Sequence, residues 1–482
     1  MEILNSDPLF FLIQTEITPN RFRDLLDFIY QTYILPLHFH FANVRRLIID
    51  GKEVLTFTFL GPNNLWYVDV EITASNPIEV KMIPTNTTPY DFLSRLRENL
   101  MITIQMFEDE MRKTTLYFVW VLDQDNTAMK ISAQKRKIIH QIFTGNMLLF
   151  FLIFLVFSYG IFFALTEIFK MPIQYFPLIL VVVQLSMILF SHKILKQMGD
   201  WPITKQAPYV HILQCNFSPG EFDEILKRYP EKTMLDMKKK IYDKTLRLGR
   251  NLDVKAVTET FYEYGIDVNP ESIKIKGINV YHVVEEAARR FQIPVPKIAL
   301  SNIIIPNAAA TGPSPRFGLI LITTGLLIQL SKEEILSVIS HELSHIKRRD
   351  PVALFALSSL EYLLRVYILW YYVYFFGLFY LFFALGIIYF IAKFFESRAD
   401  LDSAIMTGRP QILADALIKI GHRRIRLERI LPSRIGSWLG WNPHPPLSFR
   451  VERLEKIRNP NEIRHPFLKS IKDCINGLLE SF

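Results

Sequence analysis

A chain of 482 residues is too long for one ordinary core and predicts two or three domains. Half of its residues are hydrophobic and its mean hydropathy is +0.19, high for a soluble protein. The net charge of +8 is not gathered into the clustered basic face that nucleic-acid binding needs, so no nucleic-acid partner is expected, and two distant cysteines, Cys215 and Cys474, exclude a disulfide framework.

Residues 1–140 read as a separate N-terminal α+β accessory domain. Leu9 to Ile17 predicts a strand, and Thr18-Pro19 opens a helix with the apolar stripe Phe22, Leu25, Leu26 and Ile29. Val44 to Ile49 and Val54 to Leu60 flank an Asp50-Gly51 hairpin turn. Leu65 to Ile72 and Pro77 to Ile83 predict two more strands. Thr88-Pro89 opens a second helix through about Met111, and Leu116 to Leu122 closes the pattern. No catalytic constellation occurs in this part. The first twenty residues hold Glu2, Asp7 and Glu16 and no basic start, so no cleavable signal peptide is expected.

Residues 141–200 read as two transmembrane helices. Asn146 to Thr166 and Met171 to Ser191 carry no charge, and each is close to the roughly 20 residues that a crossing needs. Lys130, Lys135, Arg136 and Lys137 precede the first run, and Lys193 and Lys196 follow the second. This places both outer ends in the cytoplasm. Residues 201–277 form a polar helical insert whose run Thr233 to Arg250 is basic.

From 278 to 350 the chain holds a short pattern with chemical content. Ser331-Lys332-Glu333-Glu334 is a capping box that starts a helix, and Lys347-Arg348-Arg349 suits its C-terminal dipole. Inside it lies His341-Glu342-Leu343-Ser344-His345. Histidines four apart share a helix face, so two imidazoles can bind one zinc ion while Glu342 reaches a water on the open position. Asp350-Pro351 reads as the cap and first-turn proline of the next helix.

Zinc still lacks a third protein ligand. Pro351 to Ala392 is almost wholly apolar, interrupted only by Glu361 and Arg365, which can pair at a spacing of four. Beyond it, Glu396 and Asp400 share a helix face, so one carboxylate can bind zinc while the other orients a histidine. Glu396 meets His341 only if the chain between them crosses the membrane an even number of times. The 42 residues from Pro351 to Ala392 are long enough for two spans, which makes 351–395 a second helix pair and four spans in all. Residues 396–482 complete the core with basic helices.

Several ordered elements resemble one family. Asn307-Ala308-Ala309-Ala310-Thr311-Gly312 is similar to its Asn-Ala-Phe-Ala-Thr-Gly strand, and Thr323-Thr324-Gly325-Leu326-Leu327 follows. Then come the histidine helix, two spans, the glutamate helix ending Ala399-Asp400, and His444-Pro445-Pro446 with Arg450 six residues on. In this order they resemble the HtpX-type membrane metalloproteases, relatives of the type-I CAAX prenyl endopeptidases. The resemblance covers roughly 140–200 and 278–458 and leaves out the N-terminal domain.

The resemblance implies roles. His341, His345 and Glu396 would bind one zinc per chain. Glu342 would polarise the attacking water and pass its proton to the leaving amine. His444 and Arg450 would stabilise the oxyanion, and Asp400 would support a zinc-binding histidine. The strand Asn307, Ala308, Ala309 and Ala310 would pair with an extended substrate backbone. Ala309 departs from the family's usual phenylalanine, which leaves the shape of the groove open.

The expectation is a multidomain, mainly α membrane metalloprotease with four transmembrane helices and a small edge sheet at a zincin-type active site. It would be a multi-pass cell-membrane zinc endopeptidase with cytoplasmic N-terminal and catalytic domains. It would act on protein or peptide substrates in or near the lipid bilayer, misfolded membrane proteins above all. Prenyl-protein cleavage is the alternative within the same chemistry. A non-catalytic membrane scaffold is the alternative outside it, and the intact Glu342 argues against that reading.

Overall fold

The computed structural model describes residues 8–122, 159–430, 435–440 and 442–481. The fold is mainly helical with three small sheets. The first sheet holds β1 (Leu9–Ile13), β2 (Phe41–Ile49), β3 (Lys52–Leu60), β4 (Tyr67–Thr73) and β5 (Ile78–Pro84), all antiparallel in the order β1-β5-β4-β3-β2. Asp50 and Gly51 both adopt left-handed backbone (φ 50 and 75) with Ile49 opposite Lys52. This two-residue turn matches the right-handed twist of its strands. The helix Tyr90–Arg112 packs on the same core through Leu93, Leu96, Leu100, Ile104, Phe107 and Met111, a helical stripe.

The next strands are β6 (Thr115–Val121), β7 (Trp201–Ile203), β8 (Tyr209–Asn216) and β9 (Ile273–Asn279). β6, β8 and β9 form an antiparallel sheet with β8 in the centre. The segment 201–277, expected as helical, therefore also supplies strands. β8 is buried along nearly its whole length, so its sequence lacks the polar alternation that marks a half-exposed strand. The expected boundary at 140 lies outside the described residues.

The third sheet frames the catalytic half. It contains β10 (Lys297–Ser301), β11 (Ala308–Thr311) and β12 (Leu319–Thr323) in the order β11-β12-β10-β7. β10 and β12 are parallel and the other pairs antiparallel. β11 is thus an edge strand.

One buried cluster runs from Ile13 of the N-terminal sheet to Ile457 near the C-terminus. Charged groups join the same parts. Arg97 pairs with Asp415, and Arg429 Nε donates to Glu98 Oε1 at 2.8 Å. His422 Nε2 lies 2.9 Å from Asp109. Lys419 Nζ, 2% exposed, reaches Glu334 Oε1 at 2.7 Å and the Gln14 carbonyl at 2.9 Å. One buried ammonium therefore ties the helix Pro410–Ile430 both to the N-terminal domain and to the cap of the His341 helix.

Among the described residues, one helix is straight, long and apolar enough to cross a membrane, Leu378–Thr407. Two bent pairs reach the same length and composition. Ile173–Leu189 and Ser191–Met198 meet at 48°, and Asp350–Tyr367 and Trp370–Phe376 meet at 84°. The expected run Pro351 to Ala392 thus divides at Ile368-Leu369 and Gly377. Of the expected first span, residues 146–158 lie outside the described residues, and the rest is the short apolar helix Tyr159–Ile168.

Candidate active site

The helix Lys332–Arg348 begins with both halves of its capping box formed. Ser331 Oγ accepts the Glu334 N–H at 3.2 Å, and the Ser331 N–H donates to Glu334 Oε2 at 2.7 Å. Near its other end the Nε2 atoms of His341 and His345 stand 3.3 Å apart. Glu396, from the helix Leu378–Thr407, closes the group. Its Oε2 is 3.4 Å from His341 Nε2 and its Oε1 is 3.4 Å from His345 Nε2. One ligand atom from each residue falls within 4.8 Å of the others.

These donors fit zinc in kind and in orientation. His341 Nδ1 is 2.9 Å from Asp400 Oδ1, and His345 Nδ1 is 2.7 Å from Asp350 Oδ2. A carboxylate on each Nδ1 fixes the tautomer that leaves Nε2 as the metal-facing atom. The surroundings also favour positive charge here. Burial opposes protonation of His341, yet hydrogen bonds to Asp400 and Glu396 hold its pKa up at about 10.

Both outer carboxylates are themselves clamped. Asp400, fully buried, takes a two-pronged contact from Arg450, with Nε at 2.8 Å and Nη2 at 2.6 Å. Asp350 is paired with the buried Arg398. Asp350 and Arg398 were missed in the sequence. Asp350 read as a helix cap, but the cap is Arg349 in left-handed backbone (φ 58), which turns the chain so that Asp350 reaches back to His345. An acidic residue within about a turn of the second histidine is the signal that was there to find.

Glu342 faces the edge strand. The Ala310 N–H donates to Glu342 Oε2 at 2.9 Å, and burial raises the carboxyl's pKa despite the two neighbouring histidines. Asn307 faces β12 instead: its N–H donates to Thr323 Oγ1 at 2.8 Å and its carbonyl accepts the Thr323 N–H at 3.0 Å. Strand alternation then turns the backbone groups of Ala308 and Ala310 outward and those of Ala309 inward. Gly325 lets the loop leading into this strand pass close by, since a Cβ there would stand 1.8 Å from the Ile304 carbonyl oxygen. Thr311 Oγ1 donates to Ser191 Oγ at 2.9 Å, joining β11 to the end of the second apolar run.

His444, half-exposed, places Nδ1 2.8 Å from Glu396 Oε2. The structure therefore brings His341, Glu342, His345, Glu396, His444 and Arg450 around one cavity of about 750 Å3, with Asn307 to Ala310 along its rim and Asp400 behind His341. The Arg450 guanidinium, expected as an oxyanion donor, is engaged by Asp400. Ala309 lines the same cavity.

Two histidines from one helix, a glutamate from another, a second glutamate beside the histidines and an edge strand define a metallopeptidase-type site. Residues 276–458 match the sequence profile of peptidase family M48. The chain is 32% identical over 200 residues to Protease HtpX homolog 2 of Methanosarcina acetivorans, covering 34% of this chain and 68% of that protein. It is 32% identical over 215 residues to the Protease HtpX homolog of Pyrococcus abyssi, covering 37% and 73%. The crystal structure of S. mikatae Ste24p is similar at 15% identity and a TM-score of 0.35, over 75% of this chain and 74% of that one. The chain belongs to peptidase family M48, as an HtpX-like, membrane-associated protease.

Proposed function

We propose that the chain is an integral membrane zinc endopeptidase working at the cytoplasmic membrane surface. The observation that carries this reading is the convergence of His341 Nε2, His345 Nε2 and Glu396 beside Glu342. When bound, zinc would supply a Lewis acid and lower the pKa of a coordinated water toward neutrality.

The chain's own residues do the remaining work. The outward backbone groups of Ala308 and the Ala310 carbonyl are offered to an extended peptide, which adds as a further strand, while the Ala310 N–H is held by Glu342. Glu342, its pKa raised by burial, takes a proton from the attacking water and returns it to the leaving amine. His444 stands over Glu396 at the cavity's open side and donates to the developing oxyanion. Arg450 contributes positive charge to the same cavity and, through Asp400, holds the His341 ring in place.

Four spans suit this site. Strand β6 before the first apolar run and strand β8 after the second belong to one sheet, which supports an even number of crossings between them. Lys193 and Lys196 after the second run favour a cytoplasmic exit. Pro351, Leu354, Ala392 and Phe395, from the ends of the apolar helices, line the cavity next to the metal ligands. A site at that level reaches segments that have just left the bilayer. Misfolded membrane proteins are substrates of that kind, and the N-terminal domain serves as an accessory module for substrates, partners or regulation.

The test is metal analysis and proteolysis on purified full-length protein. Wild type should hold about one zinc per chain. Glu342→Gln should keep the zinc and lose peptide cleavage by at least ~100-fold. Full activity in that variant, or a wild type that binds no zinc, removes this reading.

A further inference from the structure

We propose that the polar cavity where the N-terminal domain meets the cap of the His341 helix is a binding site for a small organic anion, one that carries a carboxylate or a phosphate. This cavity shares no lining residue with the one at the metal group, so the site stands whether or not the chain cleaves peptides.

Three parts of the chain enclose it. Gln14 to Glu16 follow β1, Gln214 and Lys274 stand opposite each other on β8 and β9, and Gln329 to Lys332 run into the helix Lys332–Arg348. The cavity holds about 430 Å3, the size of a small-molecule site rather than of a single bound water.

Its polar groups are only partly used. Lys274 and Lys276 alternate with Ile275, so both lie on one face of β9. Lys276 Nζ spends its three N–H groups on the carbonyls of Leu327, Ile328 and Leu330, at 2.6, 3.1 and 2.7 Å. Lys274 Nζ, half-buried, donates to the Thr15 carbonyl at 2.6 Å, which leaves two N–H groups for the cavity. Across from it Gln214 is 4% exposed. Its Nε2 donates to the Glu16 carbonyl at 2.9 Å and to Asn216 Oδ1 at 3.3 Å, and its Oε1 has no donor among the described residues. Gln329 is 6% exposed and lines the cavity, and its amide has no partner among the described residues.

The charges select an anion. Lys274, Lys276 and Lys332 line the cavity against two carboxylates. Glu16 is taken by Arg112 and by the Tyr117 hydroxyl at 2.9 Å, and Glu333 is exposed. The start of the His341 helix borders the same cavity, and its dipole adds to the positive field. Burial and the neighbouring Lys274 hold Lys276 down to about 8, so a negative guest relieves a repulsion that no carboxylate of the cavity offsets. Gln214 Oε1 and the Gln329 amide supply hydrogen bonds for hydroxyl or amide groups beside the anionic one, and an apolar guest would strand them. A bound anion touches all three walls and so fastens the N-terminal domain to the start of the helix that carries His341 and His345.

The test is calorimetric titration of detergent-solubilised full-length protein with inorganic phosphate and, separately, with succinate. At least one of them should bind at one per chain with a Kd below ~1 mM. Lys274→Met should weaken that binding by at least ~10-fold, the loss of a hydrogen bond from a charged group. Gln329→Leu removes an amide and no charge, and should weaken it by at least ~3-fold. Lys205→Met, at an exposed lysine outside the cavity, should leave it unchanged. Where Lys274→Met does not fold, Gln329→Leu decides. Weakening in either cavity variant with Lys205→Met unchanged supports the site, and the probe that binds tells a phosphate-bearing ligand from a carboxylate-bearing one. The proposal is overturned if neither probe binds, if Lys205→Met weakens binding as much as the cavity variants do, or if both cavity variants bind like wild type, which would place the anion at the metal group or elsewhere.

Discussion

Asp400→Asn should separate the charge of the buried carboxylate from its shape. Oδ1 of Asp400 faces both His341 Nδ1 at 2.9 Å and Arg450 Nη2 at 2.6 Å, while Oδ2 accepts Arg450 Nε at 2.8 Å. An amide has one oxygen, so one orientation sets its NH2 against Arg450 Nε and the other sets it against both Arg450 Nη2 and His341 Nδ1. Loss of a carboxylate that orients a ligating histidine costs about 10–100-fold in metal affinity, or ~1.4–2.7 kcal/mol at ~1.36 kcal/mol per factor of ten. Leaving the buried Arg450 without its counter-charge adds ~3–5 kcal/mol of lost stability. Asp350→Asn is the informative comparison. It should cost similar zinc affinity through His345, but Arg398 keeps a second carboxylate, Asp402, at 3.8 Å, so its stability loss should be smaller. Chelator competition on the full-length protein reads the first quantity and thermal unfolding the second. Zinc affinity within threefold of wild type for Asp400→Asn, or a larger stability loss for Asp350→Asn, would refute the reasoning.

Other outcomes follow from single contacts. Ala310→Pro removes the N–H that Glu342 accepts but no bond to β12, so it should leave the sheet folded and cut cleavage by about tenfold, a net loss near that of one charge-assisted hydrogen bond. An unchanged rate would show that the contact plays no part in turnover. Glu455 is pushed up to about 7 because burial penalises its charge more than Arg97 stabilises it. The folded chain then holds a proton that the unfolded chain releases near 4.5, so stability is fully present below that value and falls as pH rises through about 7. Glu455→Gln should remove ~1–3 kcal/mol of that loss, seen as a smaller drop in Tm between pH 4.5 and 8; identical slopes in both proteins would contradict it. Gly325→Ala meets a backbone oxygen and should cost more than ~3 kcal/mol, whereas Gly220→Ala, on an exposed helix turn with open space around it, should be neutral or stabilising by ~0.5–1 kcal/mol. Comparable Tm values for the two variants would argue against the close approach at Gly325.

Local chemistry was the legible part. Asp50-Gly51 names its own turn because both residues tolerate left-handed backbone, and Ser331 with Glu334 names its own helix start. Glu361 and Arg365, read as a pair at a spacing of four, lie 3.1 Å apart. His341 and His345 share a face in any helix. Bringing Glu396 to them took a count of membrane crossings and a family resemblance, because it lies 51 positions beyond His345. The rest was hidden for tertiary reasons. Which carboxylate Arg450 meets depends on how the helices Leu378–Thr407 and Leu447–Glu455 cross, and residue spacing carries no information about that. β8 was hidden by being central and buried. Asp350 was hidden by a single left-handed residue before it.

The position of the short strand β7 and of Ser191 has a practical consequence. The stretch that matches the protease family starts at residue 276, yet β7, at 201–203, forms the far edge of the sheet whose near edge is β11, and Ser191 is bonded to Thr311 at the end of β11. A soluble fragment trimmed to the family boundaries would lack both supports of the cleft. The second apolar run is thus part of the scaffold of the cleft, and a minimal active enzyme must be cut upstream of it.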